Sequence, residues 1–215
     1  MARRRKLSAD KTNSAHHHST AENEPTELRI IGGSMRGRKL LYSGQLRTRP
    51  MKDRTREAVF NLLGPDVAGK HAIDLFAGTG ALGLEAISRG AAKGTFIEQH
   101  FPTAGVIRQN VAALGVAERC EIHPANTFIW AQRQTLGGEE PWLIFCSPPF
   151  AFYLERQAEM LALIGSLLER SPPGSIFVVE SDEHFDPQLL PEAAAWDIRV
   201  YSPAVVAIHR KASAR

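Results

Sequence analysis

From His71 onward, short apolar runs of strand length alternate with longer stretches in which apolar residues recur at helical spacing. Strands are predicted at His71–Phe76, Gly94–Glu98, Cys120–His123, Trp142–Cys146 and Ser175–Glu180. Helices are predicted between them over Ala81–Arg89, Pro102–Leu114, Asn126–Thr135 and Tyr153–Arg170, with Pro102 suited to a first helical position. Two further apolar stretches, Trp196–Tyr201 and Ala204–His209, are separated only by Ser202-Pro203, which suits an antiparallel hairpin. The pattern predicts an α/β fold: a doubly wound, mostly parallel seven-stranded sheet with a reversed strand near one edge.

The start of the chain reads differently. Met1 to Glu27 is rich in Ser, Thr, Asn, Ala and charge and has almost no large apolar side chain, so it cannot offset its own chain entropy and is expected to be disordered. His16, His17 and His18 lie there without other metal-ligating residues nearby, and no metal site is assigned. From Leu28, two apolar runs are separated by Gly32, Gly33 and Gly37, which predicts a β-hairpin or a pair of short strands with Arg36, Arg38 and Lys39 projecting at the turn. A helix over Arg54–Leu63 follows, capped by Asp53, ended by Gly64-Pro65 and burying Ala58, Phe60, Leu62 and Leu63. The predicted organisation is a tail over 1–27, a hairpin-plus-helix extension over 28–66 and a main domain over 67–212.

Composition adds charge placement to this picture. The 215 residues are 43% hydrophobic and 23% charged, ordinary for a globular protein. Residues 1–60 hold 14 Lys and Arg against 6 Asp and Glu, whereas residues 61–215 hold 12 against 17. Basic charge gathered in the first quarter points to a polyanionic partner bound by that part, with Arg36, Arg38, Lys39 and Arg49 as candidate contacts. Cys120 and Cys146 sit in apolar runs without metal-ligand spacing, which argues against a disulfide framework or zinc site. There is no 18-residue apolar run and no signal-type apolar segment behind the basic N-terminus, so a monomeric cytoplasmic protein with no membrane partner is expected.

The candidate chemistry sits at strand ends. In A-I-D-L-F-A-G-T-G-A-L-G-L-E-A, a strand meets a glycine-rich turn and then a helix, the arrangement by which open α/β sheets bind adenosine-containing cofactors. The spacing of Gly78, Gly80 and Gly83 would also suit a dinucleotide. Asp74 discriminates, because a carboxylate facing this loop repels a pyrophosphate and favours the ammonium and sulfonium of S-adenosylmethionine. Phe76, Ala77, Gly78 and Gly80 would form the cofactor loop, Glu98 would accept from ribose hydroxyls, and Asn126 would meet adenine or simply cap a helix. Arg49, Arg54 and Arg56 would face solvent, phosphate or the cofactor's carboxylate.

Ser147-Pro148-Pro149-Phe150 suggests the reaction. Two prolines remove N–H donors, leaving Ser147 and the Pro148 carbonyl to accept from a planar exocyclic amine while Phe150 stacks on its ring. Accepting both hydrogens aims the nitrogen lone pair at a donor methyl, so alignment does the work and neither a metal nor a covalent nucleophile is required.

R-I-I-G-G-S-M-R-G-R-K-L, R-P-M-K-D-R-T-R-E-A-V-F-N-L-L, D-L-F-A-G-T-G-A-L-G-L-E-A, F-I-E and P-P-F together resemble the RsmD family, over Leu28 to about His209. The resemblance implies a Rossmann-like class I methyltransferase that uses S-adenosylmethionine to methylate the exocyclic N2 of a guanine in bacterial small-subunit (16S) ribosomal RNA. Its partner would be that RNA or the assembling small subunit. Two positions depart from the family pattern. Ser147 stands where Asp or Asn belongs, which exchanges a stronger hydrogen bond for a neutral one at about 1–2 kcal/mol, or roughly 5- to 30-fold in rate. Tyr201-Ser202-Pro203 replaces a Tyr-Gly turn and so alters one wall of the substrate cleft. The alternatives are a catalytically weakened RNA-binding assembly factor and an amino methyltransferase acting on adenine N6 or another planar amine. A dehydrogenase is argued against by Asp74.

Overall fold

The computed structural model describes residues 28–42, 51–133 and 139–213. The expected disordered tail, His16 to His18 and Arg49 lie outside these described residues.

Seven strands form one sheet: β1 (His71–Asp74), β2 (Lys93–Ile97), β3 (Cys120–His123), β4 (Trp142–Cys146), β5 (Ile176–Asp182), β6 (Trp196–Tyr201) and β7 (Ala204–Arg210). Their order across the sheet is β3-β2-β1-β4-β5-β7-β6. The first five are parallel, whereas β7 runs antiparallel to both β5 and β6. The chain starts at the sheet centre with β1, winds outward to β3 and returns through β4, so the carboxyl ends of β1 and β4 flank the crevice where the winding reverses.

Both faces of the sheet are covered, as a parallel sheet requires. Alternation along β4 shows it: Leu143 and Phe145 join the cluster containing Phe60, Leu84 and Ile107, while Ile144 and Cys146 join that containing Trp130, Ile164 and Leu167. The first face is covered by α1 (Asp53–Leu63), α2 (Ala81–Ser88) and α3 (Phe101–Leu114), and the second by α4 (Thr127–Arg133), α5 (Phe152–Glu155) and α6 (Gln157–Arg170).

Four local expectations are corrected. Asp53 is the first residue of α1 and not its cap; Lys52 precedes it without a side-chain cap, and the Asp53 carboxylate turns to Arg56 at 3.0 Å. The buried face of α1 is Thr55, Arg56, Val59, Phe60 and Leu63, so Ala58 and Leu62 are only half-buried, because an arginine occupies a core-facing position. Helix α4 begins one residue later than expected because Asn126 caps it, its Oδ1 accepting from the N–H groups of Phe128 at 3.0 Å and Ile129 at 3.2 Å. The long helix expected from Tyr153 is broken at Arg156, whose φ of −131° leaves the helical region. Its guanidinium lies over the Phe128 ring at 4.0 Å and donates to Glu159.

The predicted hairpin is reduced to one antiparallel bridge between Arg29 and Lys39, with a 3₁₀ turn over Gly33–Met35. Its partner is α2 more than itself. Glu85 accepts from the N–H groups of Ile31 and Gly32 at 2.7 Å each, while Ser88 Oγ donates to the Gly32 carbonyl and accepts from Met35 N–H. Leu28, Ile30 and Leu40 join the same apolar cluster as α1 and α2. With the sheet on one side and this arm on the other, all eight residues of α2 are buried.

Candidate active site

A cavity of about 350 Å³ opens at the crevice. Its wall is built from Asp74 at the end of β1, Phe76 to Thr79 of the following turn, Ser147 to Phe150 after β4, Glu180 on β5, and Tyr201, Pro203 and Ala204 of the β6–β7 hairpin. Met51, Lys52, Thr55 and Arg56 close it from the start of α1.

The turn has this shape because of its glycines. Gly80, the N-cap of α2, has φ of 79°, a left-handed conformation that glycine adopts without steric cost. Gly83 gives room of another kind: a Cβ there would come within 2.4 Å of the Phe96 ring, so its absence lets α2 lie close on β2.

Asp74 is 1% exposed; its Oδ2 accepts from Gly83 N–H at 3.2 Å, and its Oδ1 has no hydrogen-bond partner. Burial pushes its pKa up to about 7 and the nearby Glu98 charge adds to the rise, against the pull of the backbone N–H groups of Gly83 and Phe76. A buried carboxylate with one oxygen unsatisfied is suited to a cationic group that supplies both charge and hydrogen.

Glu98 lies just after β2 and braces the turn: it accepts from Gly78 N–H at 2.9 Å and from His100 N–H at 2.8 Å. Each carboxylate oxygen keeps further lone-pair capacity toward solvent. Asn126 is committed through its oxygen to capping α4. Neither residue lines the cavity.

Ser147 Oγ donates to Glu180 Oε2. Pro148 is buried, Pro149 is exposed and Phe150 half-buried, and the carbonyls of Pro149 and Phe150 accept from the N–H groups of Phe152 and Tyr153 at the start of α5. Phe76 packs edge-on against Phe128 and Phe152, both at 6.1 Å between centroids, which stiffens this side of the crevice.

Helical spacing sorts the arginines of α1. Residues 52, 55 and 56 share the cavity face, whereas Arg54 projects outward, is exposed and does not reach the cavity. Arg56 is fully buried, donates to the Arg29 carbonyl at 2.7 Å and pairs with Asp53. Arg36, Arg38 and Lys39 are exposed on the arm, outside the cavity lining, and Arg38 Nη2 donates to the Ala113 carbonyl in the last turn of α3 at 2.6 Å.

The sequence pattern does not reveal Glu180, Lys52 or Thr55, and it leaves Arg56 open between solvent, phosphate and the cofactor's carboxylate, whereas the structure buries it at the cavity wall against Asp53 and the Arg29 carbonyl. Glu180 carries a usable signal, being a carboxylate near the carboxyl end of a central parallel strand, as Asp74 is. Among the described residues, no group of three His, Cys, Asp or Glu could hold a metal ion, and no helix is long and apolar enough to cross a membrane.

Comparison with known proteins agrees with this architecture. Over 171 residues the chain is 34% identical to "Ribosomal RNA small subunit methyltransferase D" of Haemophilus influenzae, covering 79% of this chain and 86% of that protein. It is 39% identical over 124 residues to the Escherichia coli K12 protein of the same name, covering 58% of this chain and 61% of that one. The structure of "Putative methyltransferase yhhF" from Escherichia coli superposes with a TM-score of 0.71 at 30% identity, covering 87% of this chain and 99% of that chain. The fold is that of the class I methyltransferases. Residues 28–208 match the family described as "Conserved hypothetical protein 95", and the chain therefore belongs to that family, the RsmD family its motifs resemble.

Proposed function

We propose that the protein is an S-adenosylmethionine-dependent methyltransferase that modifies the exocyclic N2 of a guanine in small-subunit ribosomal RNA. The observation that carries this reading is the meeting of Asp74 and the Ser147–Phe150 loop on one cavity. An anionic, half-satisfied group stands at one end and a proline-fixed set of acceptors at the other.

The donor set fits the cofactor. The open oxygen of Asp74 suits an α-ammonium, the glycine turn presents backbone to the ligand, and Glu98 has lone pairs left for ribose hydroxyls. Once bound, S-adenosylmethionine supplies an electrophilic methyl. The chain's own task is then alignment: Ser147 Oγ and the Pro148 carbonyl accept hydrogen bonds from the two amine hydrogens, one of which stays on nitrogen while the other leaves to solvent as a proton once the methyl is attached, and Phe150 stacks on the base. Lys52 at the cavity's edge and Arg36 and Lys39 on the arm, all exposed, give the RNA phosphates a basic approach. The named activity of the Haemophilus influenzae and Escherichia coli relatives supports the ribosomal RNA substrate.

The test is methylation of undermodified small subunits, and of their naked RNA, with labelled cofactor, followed by nuclease digestion and chromatography. Label in N2-methylguanosine is expected. Label in N6-methyladenosine would reassign the base, and tight RNA binding without transfer would make the protein an RNA-binding factor.

A further inference from the structure

Glu180 is 6% exposed, lines the cavity and receives the Ser147 hydroxyl hydrogen. Among the described residues no cation lies within ion-pair distance of it, and burial raises its pKa. A carboxylate in such a place is costly, and Ser147 is its one hydrogen-bond partner among the described side chains.

A lone serine is an ambiguous acceptor, because its hydroxyl has one hydrogen and two lone pairs and rotates to suit either role. A planar amine needs the acceptor role alone. A partner that takes the hydroxyl hydrogen removes the ambiguity and draws electron density onto the oxygen. We propose that Glu180 is the positioning residue of the acceptor site: by holding the Ser147 hydrogen, it leaves Ser147 Oγ facing the cavity with lone pairs only, ready to accept from the exocyclic amine of a nucleobase. Ser147 and Glu180 together then perform the task that a single Asp or Asn performs elsewhere in the family. The inference deepens the proposed function and rests on its assignment of an amine substrate.

A double-mutant cycle on the full chain tests it, with kcat and the KM for the cofactor read separately on small-subunit RNA. Glu180→Met keeps side-chain length and removes the acceptor, and lowers kcat about tenfold, leaving the cofactor KM unchanged. Glu180→Gln, whose amide oxygen still accepts, stays within about threefold of the unsubstituted protein. In a Ser147→Asn background the amide oxygen is an acceptor in its own right, so adding Glu180→Met changes kcat by less than about threefold. Equal slowing by Glu180→Met in both backgrounds overturns the proposal, as does a shifted cofactor KM with kcat intact. If Glu180→Met does not fold, Glu180→Ala in the unsubstituted and Ser147→Asn backgrounds decides by the same readout: a loss of about tenfold confined to the unsubstituted background supports the proposal, and equal slowing in both overturns it. A labelled base other than guanine defeats the guanine assignment and leaves this cycle intact, since the adenine amine makes the same demand on Ser147.

Discussion

Glu85 of α2 and Arg89, the residue that caps the carboxyl end of that helix, pair at 2.7 Å, and the same Glu85 carboxylate holds the arm through the N–H groups of Ile31 and Gly32. One fully buried side chain thus ties the basic arm to the helix whose first turn belongs to the candidate cofactor site.

Replacing Glu85 by Ala leaves two backbone donors and a guanidinium without their acceptor. The expected loss is about 3 kcal/mol of unfolding free energy, measured by urea denaturation. A loss below about 0.5 kcal/mol would mean that the arm is held by its apolar contacts alone.

Asp74 makes stability and cofactor affinity move in opposite directions with pH. Its folded pKa of about 7 lies above the ordinary 3.8, so between those values the native protein holds a proton that the unfolded chain has released. Its contribution to the cofactor-free protein therefore falls as pH rises through that window. Affinity for a cationic cofactor rises over the same range as the carboxylate ionises. Asp74→Asn should flatten both trends. His71, whose pKa is lowered to about 4 by burial, contributes the reverse stability trend in both proteins, so the difference between variant and parent isolates Asp74. Parallel pH profiles would refute the assignment.

Among the arm's exposed cations, Arg38 also reaches the end of α3. Arg36→Ala and Lys39→Ala should weaken RNA binding, and each should make the salt slope of log affinity shallower by about 0.7 if its cation neutralises one phosphate, with cofactor affinity unchanged in calorimetry. Arg38→Ala should in addition cost about 0.3–1 kcal/mol of stability, because it removes a cation from the carboxyl end of α3. Cofactor affinity falling in step with RNA affinity would contradict the separation of the two surfaces.

Much of this architecture is legible along the chain. The bounds of β3, β4 and β6 match the sequence reading: β4 is a continuous apolar run, as a strand covered on both faces requires, whereas β3 and β6, at the two edges of the sheet, alternate apolar with polar residues. Asp74 and the Ser147–Phe150 loop are visible because strand end and turn adjoin in sequence. Glu180 is not, since it meets Ser147 only through the lateral pairing of β4 with β5, across a separation of 33 residues. Arg56 is hard to place for a related reason: Asp53 stands three residues before it on the same helix face, but the Arg29 carbonyl that completes its partners in the core comes from the arm, 27 residues away. At the break, Arg156 meets an aromatic ring of another helix, Phe128 of α4, a contact that the local sequence does not announce.

A helix with no face left for water constrains more than one function. Whatever alters the outer segment that would grip RNA also strips cover from the segment that would grip the methyl donor. Exchange of recognition arms between members of this family should therefore succeed only when the carboxylate on α2 and its two backbone donors travel together, so that substrate choice and donor binding are inherited as one block.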